Sequence, residues 1–134
     1  MSDLTSEDRA RLTAMVEHTW TNAGLTKDWS TAMSMCADDI VYMPPDTPAC
    51  RGKAETLAYL NDFPAMDAFS QSVDRVLGDT ERAVMIGSFN ITMEEEGQKV
   101  AGTGKFLGSV TKASGDWLFE HVCFNFDGAP VPVD

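Results

Sequence analysis

Lys105 and Glu120 are the charged residues that the sequence best places for proton transfer. Both lie in alternating segments joined by Ser114-Gly115, a pair typical of a tight hairpin turn. That turn pairs Ser109 with Glu120 and puts Lys105 on the same, inward side of the sheet. An ammonium and a carboxylate in a dry pocket can move protons or bind a polar ligand group. The alternative is a structural ion pair, or two charges that reach solvent at the pocket mouth.

The same register predicts an apolar wall around this charged pair. Trp20 on the first predicted helix and Tyr42 on a short strand before Pro44 complete the wall, and the Tyr42 hydroxyl can donate to a ligand oxygen. The alternative for all these residues is ordinary core packing. The inward strand residues expected from the turn and from alternation are Leu107, Val122, Phe124, Phe89, Ile91 and Met93.

The opposite side of the hairpin also carries large apolar residues, which a solvent-facing antiparallel sheet does not normally do. Helices can cover only one face, so we expect a second subunit on the other. The predicted interface residues are Phe106, Val110, Phe119 and His121. A subunit contact is therefore a better expectation for His121 than catalysis.

Neither a metal site nor a nucleophilic thiol is expected. His18 and His121 are far apart and lack ligand spacing, and acids beside a helix end or in a loop are usually solvated. The three cysteines, Cys36, Cys50 and Cys123, have no histidine nearby in sequence. Their odd number indicates reduced thiols in a reducing compartment.

Composition limits the class of protein further. The chain has 134 residues, of which 43% are hydrophobic and 23% charged, as expected for one soluble globular domain spanning 1–134. Its net charge of −11 argues against a nucleic-acid partner. No apolar run is long enough to span a membrane, and the polar start MSDLTSEDRAR is unlike a signal peptide. We therefore expect a cytoplasmic protein.

Three predicted helices and one short edge strand precede a set of longer strands. The capping and spacing patterns predict a helix from Ser6 to Gly24, a shorter one over WSTAMSMCADD, an edge strand at Ile40–Met43 and a third helix over KAETLAYLNDF. From residue 66 the period changes to two, which predicts a four-stranded meander. The result is an α+β fold with helices on one face of a curved antiparallel sheet, a core at about 7–127 and an extended or frayed tail at 128–134.

The order of several short segments resembles a known superfamily. Trp20, then CADDIVYMPP, CRGKAE, GTGKFLGSV and GDWLFEHVCFNFD, is similar to the SnoaL-like and ketosteroid-isomerase-like branch of the nuclear transport factor 2-like superfamily. The resemblance implies a cone-shaped sheet (a cystatin-like roll) closed by helices. It also implies a hydrophobic pocket for a small molecule, no cofactor, and a homodimer through the outer sheet face.

The catalytic residues of those relatives are not found at the matching positions. The tyrosine, general base and second aspartate of ketosteroid isomerases fall on Trp20, Pro44 and Leu107. In SnoaL-type cyclases the segment EHWD matches Glu120 and His121, but Val122 and Cys123 follow. The Asp-Arg-Asp relay of the superfamily's epoxide hydrolases cannot be placed. The expectation is a small-molecule-binding cone, either a cofactor-independent isomerase, cyclase or dehydratase acting through Glu120, Lys105 and Tyr42, or a non-catalytic ligand-binding or dimerisation module.

Overall fold

The structure, a computed structural model, describes residues 2–113 and 115–133 and confirms the α+β class. Ser114 of the predicted turn and Asp134 of the predicted tail lie outside these residues. The helical segments are α1 (Ser6–Ala14), a π-helical segment (Met15–Trp20), α2 (Thr21–Thr26), α3 (Trp29–Ser34) and α4 (Gly52–Asp62). The strands are β1 (Cys36–Met43), β2 (Cys50–Arg51), β3 (Met66–Gly78), β4 (Arg82–Glu95), β5 (Gln98–Ala113), β6 (Asp116–Phe126) and β7 (Val131–Pro132).

The first helical stretch begins at a capping box and runs longer than predicted. Thr5 Oγ1 accepts a hydrogen bond from the Asp8 backbone N–H at 2.9 Å. The helix stops at Lys27, which is left-handed with φ 59°, and not at Gly24. Gly24 lies inside α2, where an added Cβ would stand 3.3 Å from the Phe69 ring. The missing side chain therefore lets α2 approach β3 closely.

The second predicted helix is shorter than its sequence pattern indicated. It ends at Ser34, and Cys36 already belongs to β1, opposite Phe119 of β6. The Phe119 N–H donates to the Met35 carbonyl at 2.8 Å, which ties this junction to the sheet. Pairing with β6 thus overrides the local helical preference of this segment.

The strands form one curved sheet in the order β2-β1-β6-β5-β4-β3, and β7 pairs with β5. The predicted meander of four long antiparallel strands is present. β1 joins it parallel to β6, because the long connection through β2, α4 and the three strands β3–β5 returns the chain in the same direction. Of the two alternatives predicted for the tail, the structure shows the extended one, because Val131–Pro132 forms β7, with Val131 opposite Ala101.

A β-bulge at Glu120 determines which side chains of the last hairpin face the helices. Val110 pairs with Phe119, as the predicted turn requires, but the next pair is Ser109 with His121. Glu120 is therefore an extra residue in β6, and the inward positions change from odd to even numbers beyond it. Phe119 and Val122 consequently lie on the same face.

The core fills the space between the concave face of the sheet and the helices. Leu12, Met15 and Trp29 from the helical stretches and Met85 and Val110 from the strands are all at most 3% exposed. No helix in the described part of the chain is long and apolar enough to cross a membrane.

Candidate functional site

A cavity of about 70 Å³ lies between the helices and the concave face of the sheet. Its wall is almost wholly aromatic, aliphatic and thioether, the composition typical of sites for small apolar molecules. The lining residues are Val16, Trp20, Trp29, Tyr42, Leu60, Phe63, Met66, Phe69, Gln71, Met85, Phe89, Ile91, Phe106, Gly108, Phe119, Val122 and Phe124.

Trp20 stands at the centre of an aromatic group on the helical side of the cavity. Its ring stacks on Tyr42, with centroids 6.3 Å apart and planes at 23°, and meets the edge of Phe119 at 5.6 Å. Trp29 is tilted against it at 6.3 Å. A second group of rings continues across the sheet, with Phe89 and Phe124 5.9 Å apart. Flat apolar molecules pack well between such ring faces and edges.

The π-helical segment helps to position a polar group on this wall. Its wider turn lets the Val16 carbonyl accept from the Thr21 N–H five residues later, and the Thr21 hydroxyl donates to the same carbonyl at 2.9 Å. The Gln71 amide nitrogen donates to Val16 O and to Thr21 Oγ1, both at 3.2 Å. These two bonds fix the Gln71 amide and leave its carbonyl oxygen as the acceptor of this side chain.

Two aromatic residues of the wall, Tyr42 and Trp29, carry hydrogen-bond donors. Burial raises the pKa of Tyr42 well above its ordinary value, so the hydroxyl stays protonated and neutral at physiological pH. Burial likewise raises the pKa of the neighbouring Tyr59 to about 12. Trp29 is 3% exposed, and its Nε1 is the buried side-chain polar atom that lacks a hydrogen-bond partner among the described residues.

The described lining residues include no aspartate, glutamate, histidine, lysine or arginine. Within residues 2–113 and 115–133, no three His, Cys, Asp or Glu side chains converge to form a metal site. The wall can therefore offer hydrogen bonds and apolar contact. It presents no side chain that exchanges a proton near neutral pH.

The predicted inward positions of Lys105 and Glu120 are wrong. Lys105 Nζ lies 2.9 Å from Asp127 Oδ1, and both of these side chains are more than half exposed. Glu120 Oε1 lies 3.7 Å from Arg82 Nε. Lys105 points outward because the even-numbered residues of β5 face the core, and Glu120 is the bulged residue. Lys105 and Glu120 are thus ion-paired with Asp127 and Arg82 and not with each other, so the structural ion pair offered as the alternative is not formed either.

The predicted faces of β5 and of the start of β6 are exchanged in the structure. Leu107, predicted on the wall, is 45% exposed on the outer face. Phe106 and Phe119, predicted on the outer face, line the cavity, and Val110 is fully buried. His121 does lie on the outer face, exposed, with Nδ1 2.7 Å from Ser109 Oγ. Its role in a subunit contact stays a prediction.

The other predicted wall residues are brought together, although their role as ligand contacts stays a prediction. Met93 is buried in a neighbouring cluster beside the wall. The predicted residues that line the cavity are Trp20, Tyr42, Phe89, Ile91, Val122 and Phe124.

Two polar wall residues were missed by the sequence reasoning. Trp29 lies on the buried side of α3, directly after Asp28. Its large ring and its N–H were the features of the sequence that could have indicated a wall residue with a hydrogen-bond donor. Gln71 alternates with Phe69 and Val73 along β3, so its inward position was readable from the period of two. Nothing in the local sequence indicates that the π-helical segment would bond it.

The outer sheet face carries a row of apolar side chains. Ile86 pairs with Leu107, Leu107 with Cys123, and Cys123 with Met43, so the row crosses four neighbouring strands. Ile86, Leu107 and Met43 are 36%, 45% and 37% exposed. This row, Met43–Cys123–Leu107–Ile86, is the outer apolar row.

The sequence and the fold both match known proteins. Residues 9–119 match the SnoaL-like domain, and no curated protein matches the chain. A ketosteroid isomerase-like protein from Erwinia carotovora atroseptica superposes with a TM-score of 0.82 at 19% identity, covering 93% of this chain and 100% of that one.

Two further structures share the fold. An NTF2-like protein with a cystatin-like fold from Novosphingobium aromaticivorans has a TM-score of 0.72 at 11% identity, covering 92% of this chain and 84% of that one. A hexachlorocyclohexane dehydrochlorinase from Novosphingobium barchaimii has a TM-score of 0.76 at 13% identity, covering 95% and 90%. At these identities the likeness shows the fold.

Proposed function

The chain belongs to the SnoaL-like domain family, and we propose that its cavity binds a small, uncharged, largely apolar molecule. The observation that carries the proposal is the aromatic and thioether wall around about 70 Å³ of free volume. Natural interiors rarely leave room for more than a water molecule, so a cavity of this size on an apolar wall favours a ligand. The dehydrochlorinase neighbour is named for a small neutral substrate, which agrees with this class of ligand.

Binding is better supported than acid–base catalysis. An isomerase, cyclase or dehydratase that moves protons needs a group with a pKa near the working pH. The described wall offers Tyr42 instead, which stays neutral and can stabilise an oxyanion by hydrogen bonding without accepting a proton. We therefore favour the non-catalytic ligand-binding alternative.

Methionine methyl groups allow a direct test. Met66 and Met85 line the cavity, whereas Met43 is exposed on the outer face. In a titration with toluene, we expect saturable shifts of the Met66 and Met85 methyl resonances and none at Met43. If Met66 and Met85 remain unmoved while other sites respond, the proposal is refuted.

Gly108 provides a matched pair of variants. An added Cβ there would stand 3.7 Å from its nearest neighbours, so Gly108→Ala fits, whereas the longer side chain of Gly108→Leu fills the cavity. Toluene should bind to the alanine variant and not to the leucine variant. Equal binding to both would contradict the proposal, and if the leucine variant fails to fold, the wild-type methyl shifts decide.

A second role, dimerisation, is favoured by the outer apolar row. A second copy offers a matching row, and covering it would remove Ile86, Leu107 and Met43 from water. We expect the protein to sediment as a homodimer, and we expect Leu107→Glu to dissociate it. Asn90→Glu is the control and should leave the dimer intact, because Asn90 is exposed on the outer face in a polar cross-strand row. A monomeric wild-type protein would exclude this role.

A further inference from the structure

Trp29 Nε1 is a donor that folding has removed from water without giving it a partner. Among the described residues it is the buried side-chain polar atom without a hydrogen bond. A buried Trp normally finds an acceptor for this N–H, and leaving it unpaired destabilises a protein by about 1–3 kcal/mol. Trp117 shows the usual arrangement in the same chain, because its Nε1 donates to Asp8 Oδ1 at 3.1 Å.

The position of this unpaired donor connects it to the cavity. The Trp29 ring is part of the wall, tilted against Trp20, which in turn stacks on Tyr42. Nε1 itself is buried in this arrangement of side chains, so donation to a ligand requires the indole to turn toward the cavity that the Trp29 residue lines. The flexible thioethers of Met66 and Met85 on the same wall can adapt to such a turn.

We infer that the ligand is a flat, uncharged carbonyl compound whose oxygen accepts a hydrogen bond from Trp29 Nε1. This inference rests on the proposed function, since it names the class of molecule that the cavity takes. The N–H has already lost its water on folding, so only the carbonyl is desolvated on binding and the new bond stabilises the complex.

The wall excludes the charged relatives of such a ligand. A carboxylate would leave water without meeting any lysine, arginine or histidine among the described lining residues. The net charge of −11 adds a long-range repulsion of anions. A neutral acceptor such as a carbonyl oxygen therefore suits this wall, whereas a carboxylate does not.

Three probes of nearly equal shape test the inference. Acetophenone carries the carbonyl, α-methylstyrene replaces its oxygen by a CH₂ group, and benzoate carries a charge. We expect acetophenone to bind about two- to tenfold more tightly than α-methylstyrene, and benzoate not to bind detectably. In Trp29→Phe the preference for acetophenone should disappear, whereas Phe124→Leu should weaken both neutral probes and keep their ratio.

The indole N–H resonances report the donor directly. The chain has three tryptophans, and Trp117, already bonded to Asp8, serves as an internal reference. We expect acetophenone to move the Trp29 resonance downfield, α-methylstyrene to lack this effect, and the Trp117 resonance to stay in place. This measurement on the wild-type protein decides the question even if Trp29→Phe does not fold.

The possible failures are distinguishable. If both neutral probes bind equally well, or if the resonance of Trp20 responds to acetophenone in place of that of Trp29, the carbonyl inference is overturned and ligand binding stands. If the preference for acetophenone is lost in Tyr42→Phe and kept in Trp29→Phe, the carbonyl inference is overturned as well. If neither neutral probe nor toluene enters the cavity, the proposed function fails together with the inference.

Discussion

Two glycines on the same strand and the same face should respond in opposite ways to one added methyl group. At Gly104 an added Cβ would overlap both the Phe89 ring and the carbonyl oxygen of Asn125. At Gly108 the nearest atoms, His121 O and a Phe119 ring carbon, are 3.7 Å away, which is ordinary contact distance. Gly104 is therefore required for the Phe89 ring to lie across β5, and Gly108 is not required by packing.

The size of the difference follows from this geometry. Overpacking at Gly104→Ala should lower the free energy of unfolding by about 1–3 kcal/mol, because a main-chain carbonyl and a packed ring must both shift. Gly108→Ala should raise it by about 0.4–1 kcal/mol, because alanine restricts the unfolded chain and meets no clash in the folded one. The two variants should thus differ by roughly 1.5–4 kcal/mol.

Urea denaturation followed by tryptophan fluorescence measures this difference. With a slope of about 1–3 kcal/mol per molar urea, the two midpoints should separate by on the order of 1 M. Adding Phe89→Leu to Gly104→Ala should recover part of the loss, since the smaller side chain relieves the ring contact and leaves the clash with Asn125. Equal midpoints for the two alanine variants would refute the packing of Phe89 over Gly104, and with it this part of the wall.

Two further predictions concern titratable groups. Hydrogen bonds from Lys112 and Trp117 lower the pKa of Asp8 from its ordinary 3.8, so its stabilisation is present above that pH and is lost as the pH falls through the lower folded value. Asp8→Asn should therefore be less stable at pH 7 and lose less stability between pH 5 and pH 2 in thermal melts; an unchanged acid dependence would contradict this. Burial raises the pKa of Cys36 to about 12, whereas Cys123 is half-buried on the outer face, in the row that a dimer would cover. In the Leu107→Glu protein, in which this row is uncovered, Ellman's reagent at pH 8 should therefore modify Cys123 first, and adding Cys123→Ser should leave the protein unmodified until it unfolds. Rapid modification of that variant in its native state would exclude this burial of the remaining thiols.

The sequence was most informative where strands keep a strict period of two. β4 alternates buried and exposed residues without a break, so the inward positions of Phe89 and Ile91 could be read directly. The family resemblance predicted the cone, which is confirmed by the match over residues 9–119 and by the shared fold. Local rules were weaker at the junction of α3 and β1, where pairing of Cys36 with Phe119 decides the boundary.

The bulge at Glu120 accounts for the main error and for the chemistry of the cavity. A regular hairpin would place Phe106 and Val110 on one face of the sheet and Val122 and Phe124 on the other. Both faces would then carry large apolar side chains. That two-faced pattern led to a predicted interface through Phe106, Val110 and Phe119.

One extra residue in β6 resolves the conflict, because it turns Val122 to the same face as Phe106 and leaves Glu120 paired with Arg82 outside the wall. Apolar residues on both faces of a hairpin are thus as much a sign of a bulge as of a partner subunit. The case for a dimer now depends on the outer apolar row, and the case for binding depends on the uncharged wall that the bulge creates.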